Sequence, residues 1–333
     1  ERPAAMIMIR GRGAALVLLG WCLGTPMVGG LLRMAASPAV SRVVPKGVEH
    51  GRLRRRFPGL EAGRFRHPLD EATTRAVQRS AVGALEPLVR RQAVPFLEEL
   101  VFFDNLASSV QVGPSQLPDL HASLVQAASI LDVAPPALYV KQNPQPNAYT
   151  LAVRGSKPFI VVHTSLLDLM TPEEVQAVLA HELGHLKCEH GIWLTLANLA
   201  QAGLGSLPIV GDLLASTSQQ SLMEWQRAAE FSCDRASLLV AQDPTTVVSA
   251  LLKLVGGSAS SQPLSAEAFL DQARAYDEAV KNATLPVRRT VEMSLSPRTH
   301  PLPVTRVAEL DRWASSPEFH GILARGVDLS SSS

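Results

Sequence analysis

The stretch from Thr171 to His185, Thr-Pro-Glu-Glu-Val-Gln-Ala-Val-Leu-Ala-His-Glu-Leu-Gly-His, constrains the fold more than any other part of the chain. Thr171 suits a helix cap, Pro172 the first turn, and Glu174 can close a capping box with Thr171. The spacing predicts a helix running to about Gly191. At roughly 100° per residue, His181 and His185 lie about 40° apart on one face, with Glu182 on the flank of the same arc. Two imidazoles so placed can hold one zinc ion, and the carboxylate between them can reach a water on it. The bland alternative is a helix that merely bears two exposed histidines.

Zinc in a hydrolytic site needs a third protein ligand and one open position. A third histidine six residues after His185 is absent, because position 191 is Gly. His190 projects about 140° away from His185 on a continuous helix, which predicts a surface or helix-end histidine. The run Glu224-Trp-Gln-Arg-Ala-Ala-Glu230-Phe-Ser-Cys-Asp234-Arg235 offers a better candidate. Glu230 and Asp234 are four apart and share a helix face, and Ala228, Ala229 and Cys233 would let that helix approach closely. Glu230 reads as the third ligand and Asp234 as the acceptor for the N–H of a ligating histidine. The alternative is a pair of solvent-facing acids beside Arg227 and Arg235.

Helices are also expected at about 69–92, 95–110, 117–132, 219–241, 244–255, 266–281 and 304–315. Residues 137–140, 148–153 and 158–163 read as strands of a small antiparallel sheet. The fold class is therefore α+β and mostly helical, with that sheet packed on the histidine-bearing helix.

Charge divides the chain. Residues 1–80 hold 14 Lys/Arg against 5 Asp/Glu, a net +9, whereas residues 81–333 hold 17 against 25, a net −8, so the formal total of +1 joins two unlike parts. From Arg2 to Val48 no acidic residue occurs, the composition of an organelle transit sequence. A secretory signal and a membrane anchor over residues 13–32 are the alternatives. Residues 49–67 read as an Arg-rich solvated linker or a patch for an anionic membrane. Residues 68–327 form the expected domain and 328–333 a disordered tail, with fraying from about residue 316. Nucleic acid is an unsuitable partner, since the larger part is acidic and the basic part has no interleaved aromatics to stack bases. Cys22, Cys188 and Cys233 form no CxxC pair, so neither a disulfide framework nor thiolate-held zinc is expected.

Taken in order, Pro146-Asn147-Ala148-Tyr149, His181-Glu-Leu-Gly-His185, Glu230-Phe-Ser-Cys-Asp234 and Thr299-His300-Pro301 with Arg306 resemble a known family. It is the gluzincin metallopeptidases of the HtpX and CAAX-prenyl-protease type, above all their plant and algal plastoglobule branch. The resemblance covers about residues 67–313. It implies a zincin-type domain with one Zn2+ per chain on His181, His185 and Glu230, Glu182 as catalytic base and Asp234 behind a ligand. It also implies that Asn147 binds substrate backbone, that His300 stabilises the oxyanion and that Arg306 anchors a carboxylate. HtpX-like members carry transmembrane helices after the zinc helix. Here residues 191–211 are uncharged, but Asn198, Gln201, Gly203, Gly205 and Pro208 make them a poor span, leaving a buried hairpin, an active-site flap or a membrane-dipping segment.

The expected activity is endopeptidase cleavage of unfolded or extended protein substrates, which would add to the edge strand 147–153 by backbone pairing. The resemblance places it in the plastid with peripheral membrane or lipid-particle association, the mitochondrion or a membrane being alternatives. The rival reading is a zinc-bound, catalytically idle scaffold on a membrane or lipid particle.

Overall fold

The computed structural model describes residues 54–329 apart from 81–82, 89–90, 92–102, 152–157, 195, 198–210, 258–263 and 296–299. The targeting segment at 1–48, residues 49–53, most of 191–211 and residues 330–333 lie outside the described residues, as does much of the helix expected over 95–110. In chain order the first elements are β1 (Arg55–Arg56), α1 (Pro68–Arg79), β2 (Val110–Gln111), α2 (Pro118–Leu131), β3 (Ala137–Lys141), β4 (Ala148–Leu151) and β5 (Phe159–His163). Then follow α3 (Thr164–Leu169), α4 (Pro172–Lys187), α5 (Gly211–Ala241), α6 (Pro244–Gly256), α7 (Ala266–Asn282), α8 (Leu285–Leu295), α9 (Pro303–Ala314), α10 (Pro317–Arg325) and β6 (Val327–Asp328). The molecule is mostly helical with a small sheet, as the sequence implied.

The sheet is mixed rather than antiparallel. Its order is β2-β3-β5-β4, with β3 parallel to β5 from Ala137 opposite Phe159 to Lys141 opposite His163, and β4 antiparallel to β5 on the other side. Phe159-Ile-Val-Val-His is buried at every position, which is the composition of a central strand covered on both faces. The chain therefore inserts β5 between β3 and β4 instead of folding a simple meander, and half-buried β4 is left at the edge. Leu138, Val140, Ile160 and Val162 face the main core with Leu131, Leu179 and Leu183, while Tyr139, Phe159 and Val161 form a smaller cluster on the opposite face.

Both ends of the expected domain also differ. Residues from 54 onward are not a solvated linker, because Phe57, Leu60 and Phe65 are buried in the core and Phe57 N donates to Ile130 O. The arginines that suggested solvent find carbonyls instead: Arg55 Nη1 donates to Leu323 O at 2.8 Å and Arg66 Nη2 to Cys188 O. At the other end α10 is helical where fraying was expected. It is held there by Phe319 and Ile322 in the core and by the pairing of β6 with β1.

Helix α4 occupies the centre, packed against α2, α5, α6 and the edge strand β4. No described helix is long and apolar enough to cross a membrane.

Candidate metal and catalytic site

Helix α4 starts as its residues dictate. Glu174 N donates to Thr171 Oγ1 at 3.3 Å and Thr171 N to Glu174 Oε2 at 2.7 Å, which completes the capping box. Its end departs from expectation. The helix stops at Lys187, Glu189 adopts a left-handed conformation with φ +53°, and a new helical segment begins at His190. That break turns His190 back toward the histidine face, so it is no surface residue. Its ring is 1% exposed, with Nδ1 3.1 Å from His185 Nδ1 and Nε2 2.9 Å from Asp70 Oδ2.

Helix α5 approaches α4 across Gly184, where an added Cβ would stand only 3.0 Å from both Cys233 Cα and Ala236 Cβ. The close crossing carries Glu230 and Asp234 inward, and both are buried rather than solvent-facing. Glu230 Oε2 lies 3.4 Å from His181 Nε2 and Oε1 lies 3.6 Å from His185 Nε2. Donors on a tetrahedral zinc at about 2.0–2.1 Å stand about 3.3–3.4 Å apart, so this spacing fits the ion. The Nδ1 edges are occupied: His181 Nδ1 donates to Asp234 Oδ1 at 3.1 Å, and His185 Nδ1 meets His190.

Cys233 also lies near the two histidines. Its Sγ is 3.7 Å from His190 Nδ1, and burial, with Cys188, Glu230, Glu182 and Asp70 nearby, pushes its thiol well up. The Cys233 contact is thus with the ring beside the Nδ1 edge of His185, whereas the Glu230 carboxylate faces the Nε2 atoms of both histidines. A second cluster, Asp70, Cys188 and His190, is wholly buried. Burial pushes the Cys188 thiol up to about 12, and the Asp70 carboxylate already accepts four hydrogen bonds.

The electrostatics suit a cation. Burial alone would raise Glu230, but the charge of His300 and hydrogen bonds from His181, His185 and His300 hold it well below the ordinary carboxylate range. Burial opposes ionisation of Asp234 too, and the Arg306 guanidinium outweighs it. For His181 burial favours the neutral ring, yet hydrogen bonds to Asp234 and Glu230 prevail and raise it to about 9. The metal-free ring therefore holds a proton at neutral pH, which an incoming zinc ion must displace.

The remaining residues implied by the sequence divide. Glu182 is buried beside the pair, with Oε2 accepting from Thr150 Oγ1 of β4 at 2.7 Å. His300 has Nδ1 3.2 Å from Glu230 Oε2 and a side chain 71% exposed, so it stands at the mouth of the site. Arg306 gives Nε at 2.8 Å and Nη2 at 2.5 Å to Asp234, with Nη1 3.6 Å from Glu230. Its fork thus grips a carboxylate of the protein itself. Asn147 immediately precedes β4, and its carbonyl accepts from His163 N at 2.9 Å. Sequence reasoning missed Thr150, Asp70 and the role of His190. Only the adjacency of Thr150 to the Asn147 motif pointed to the first, and nothing in the sequence paired Asp70 with a residue 120 positions away.

Residues 114–314 match the model of peptidase family M48. Over 270 residues the chain is 48% identical to the plastoglobule-localized metallopeptidase 48, chloroplastic, of Arabidopsis thaliana, an alignment covering 81% of this chain and 77% of that one. It is 27% identical over 169 residues to protease HtpX homolog 2 of Methanosarcina mazei, covering 44% of this chain and 58% of that protein. Among solved structures, S. mikatae Ste24p aligns with a TM-score of 0.43 and 16% identity, over 73% of this chain and 61% of that one. The match over residues 114–314 and the 48% identity to the Arabidopsis peptidase show that the chain belongs to the M48 family of peptidases.

Proposed function

We propose that this chain is a zinc-dependent metalloendopeptidase acting on extended segments of protein substrates. The observation that carries the reading is the approach of the buried Glu230 carboxylate to His181 Nε2 and to His185 Nε2, with each Nδ1 already engaged. These three residues would hold the metal. Bound zinc supplies a Lewis acid that polarises the scissile carbonyl and acidifies water. Glu182, oriented by Thr150, takes the proton of the attacking water and delivers it to the leaving amine.

Because β4 is the sheet edge and touches α4, an extended substrate can add to it by backbone pairing beside Glu182. Asn147, just ahead of β4, is suited to hold substrate backbone there. His300, raised by the Glu230 charge, offers a cation to the developing oxyanion. Recognition through backbone predicts tolerance of side-chain identity. The acid-free N-terminal segment and the name of the Arabidopsis relative support import into the plastid, with peripheral association to a membrane or lipid particle.

Zinc content and casein cleavage of the full chain test this reading. Wild type is expected to hold one zinc and cleave. Glu182→Gln should keep the metal and lose cleavage by about 10²–10⁴-fold, the usual contribution of a general base. Undiminished cleavage in that variant contradicts the mechanism, and a zinc-loaded wild type that leaves casein intact supports the idle-scaffold alternative.

A further inference from the structure

We propose, on the peptidase reading above, that Thr150 is a positioning residue through which substrate pairing along β4 sets the direction of the Glu182 carboxylate. Its backbone belongs to the open edge of the sheet and its side chain to the base.

The pairing of β4 with β5 fixes which backbone groups are open. The register runs from Ala148 opposite Val162 to Leu151 opposite Phe159, and just ahead of it His163 N donates to Asn147 O at 2.9 Å. Hydrogen-bonded and non-hydrogen-bonded pairs alternate along an antiparallel ladder. Asn147, Tyr149 and Leu151 therefore turn their N–H and C=O groups toward β5, and Ala148 and Thr150 turn theirs toward the outer edge. β4 is the last strand of its sheet, and among the described residues no strand pairs with that outer side. An extended substrate thus finds its backbone partners at Ala148 and Thr150, not at Tyr149.

Side chains alternate along the strand with the same period. Tyr149 and Leu151 join Tyr139, Phe159 and Val161 on one face, whereas Ala148 packs on the main core, on the side where α4 touches β4. Thr150 shares the face of Ala148, and there its hydroxyl lies 2.7 Å from Glu182 Oε2 and 3.3 Å from Glu182 O. A hydroxyl has one proton to donate, and the shorter contact takes it. The carboxylate is thereby tied to the strand as well as to its own helix. A strand bonded on one side only opens more readily than one bonded on both, so a substrate strand added at Thr150 steadies the element that holds the base. Misplacing a reacting group by about 1 Å can cost about 10²-fold in rate, which makes that tether matter for turnover more than for binding.

Digestion of casein by the full chain, read by mass spectrometry, supplies a peptide with a defined cleaved bond, and kcat and KM on that peptide test the proposal. Thr150→Val keeps the β-branched shape and the backbone but deletes the hydroxyl. Zinc content should be unchanged, KM should stay within about twofold of wild type, and kcat should fall about 10–100-fold. Thr150→Ser restores the hydroxyl and should recover most of kcat, which a merely structural role for the side chain would not produce. Methylating the peptide at one backbone amide at a time around the cleaved bond then tests the coupling. Methylation of the amide that pairs with the strand should lower kcat in wild type and add little in Thr150→Val, because both changes release the same carboxylate. A wild-type kcat in Thr150→Val, a loss that Thr150→Ser does not recover, or a methylation that lowers kcat no more in wild type than in Thr150→Val would overturn the proposal and leave the peptidase reading intact. A zinc-loaded wild type that cleaves no casein overturns that reading, and the proposal with it.

Discussion

His181 and His185 stand one turn apart on the same helix, yet the two are supported by opposite kinds of chemistry. Behind His181 is a charge pair: Asp234 from α5, gripped by both arms of Arg306 from α9. Behind His185 is a neutral imidazole, and the nearest carboxylate along that chain of hydrogen bonds, Asp70 of α1, is one residue further away. The first arrangement sets a full negative charge against the Nδ1 edge and favours a protonated ring, whereas the second sets its carboxylate one residue further back. The comparison also divides the chain. Elements on the C-terminal side of α4 hold one histidine, whereas the N-terminal helix α1 reaches the other only through His190.

The largest expected effects come from breaking the two supports separately. Asp234→Ala leaves the Arg306 guanidinium buried with its main partner gone, and should cost about 3–5 kcal/mol in urea unfolding. Asp234→Asn with Arg306→Met removes both charges and should recover most of that loss. Asp70→Asn keeps the volume but mismatches one hydrogen-bonding edge, so about 1–3 kcal/mol is expected. A larger loss for Asp70→Asn than for Asp234→Ala would reverse the ranking of the two supports.

Gly184→Ala acts on both sides at once, because the added methyl meets Cys233 Cα and Ala236 Cβ. It should destabilise by about 1–3 kcal/mol by forcing α4 and α5 apart, and should lower zinc content. Unchanged zinc content would show that the close crossing is dispensable for the site.

A smaller effect concerns pH. In the metal-free protein the raised pKa of His181 stabilises the fold fully below its ordinary unfolded value of about 6.5, and this contribution fades as pH rises through about 9. Zinc affinity should move the other way, because below about 9 binding must expel that proton. From this proton alone affinity should fall by up to about tenfold per pH unit of acidification. Chelator competition from pH 6 to 9 checks the slope, and Asp234→Asn should shift its onset to lower pH.

The parts legible in the sequence were those fixed by local spacing. The capping box, the shared face of His181 and His185, and the four-residue step from Glu230 to Asp234 all follow from helical geometry, and the structure brings those residues together. What was not legible depends on single departures from regularity. A left-handed Glu189 moved His190 from an expected surface into the core. The insertion of β5 between β3 and β4 made a parallel pair that alternation along one strand cannot reveal. Residues 54–67 read as a linker because their arginines outnumber their aromatics, yet Phe57 and Phe65 determine where that segment lies. Thr150 and Asp70 came into view only when distant segments met.

The most direct test of the account is X-ray absorption at the zinc edge on the purified, zinc-loaded full chain, because it separates Glu230 from the neighbouring Cys233 as the third protein donor. Ligation by His181, His185 and Glu230 predicts a shell of nitrogen and oxygen alone at about 2.0–2.1 Å, with two imidazoles. A sulfur scatterer at about 2.3 Å would contradict it.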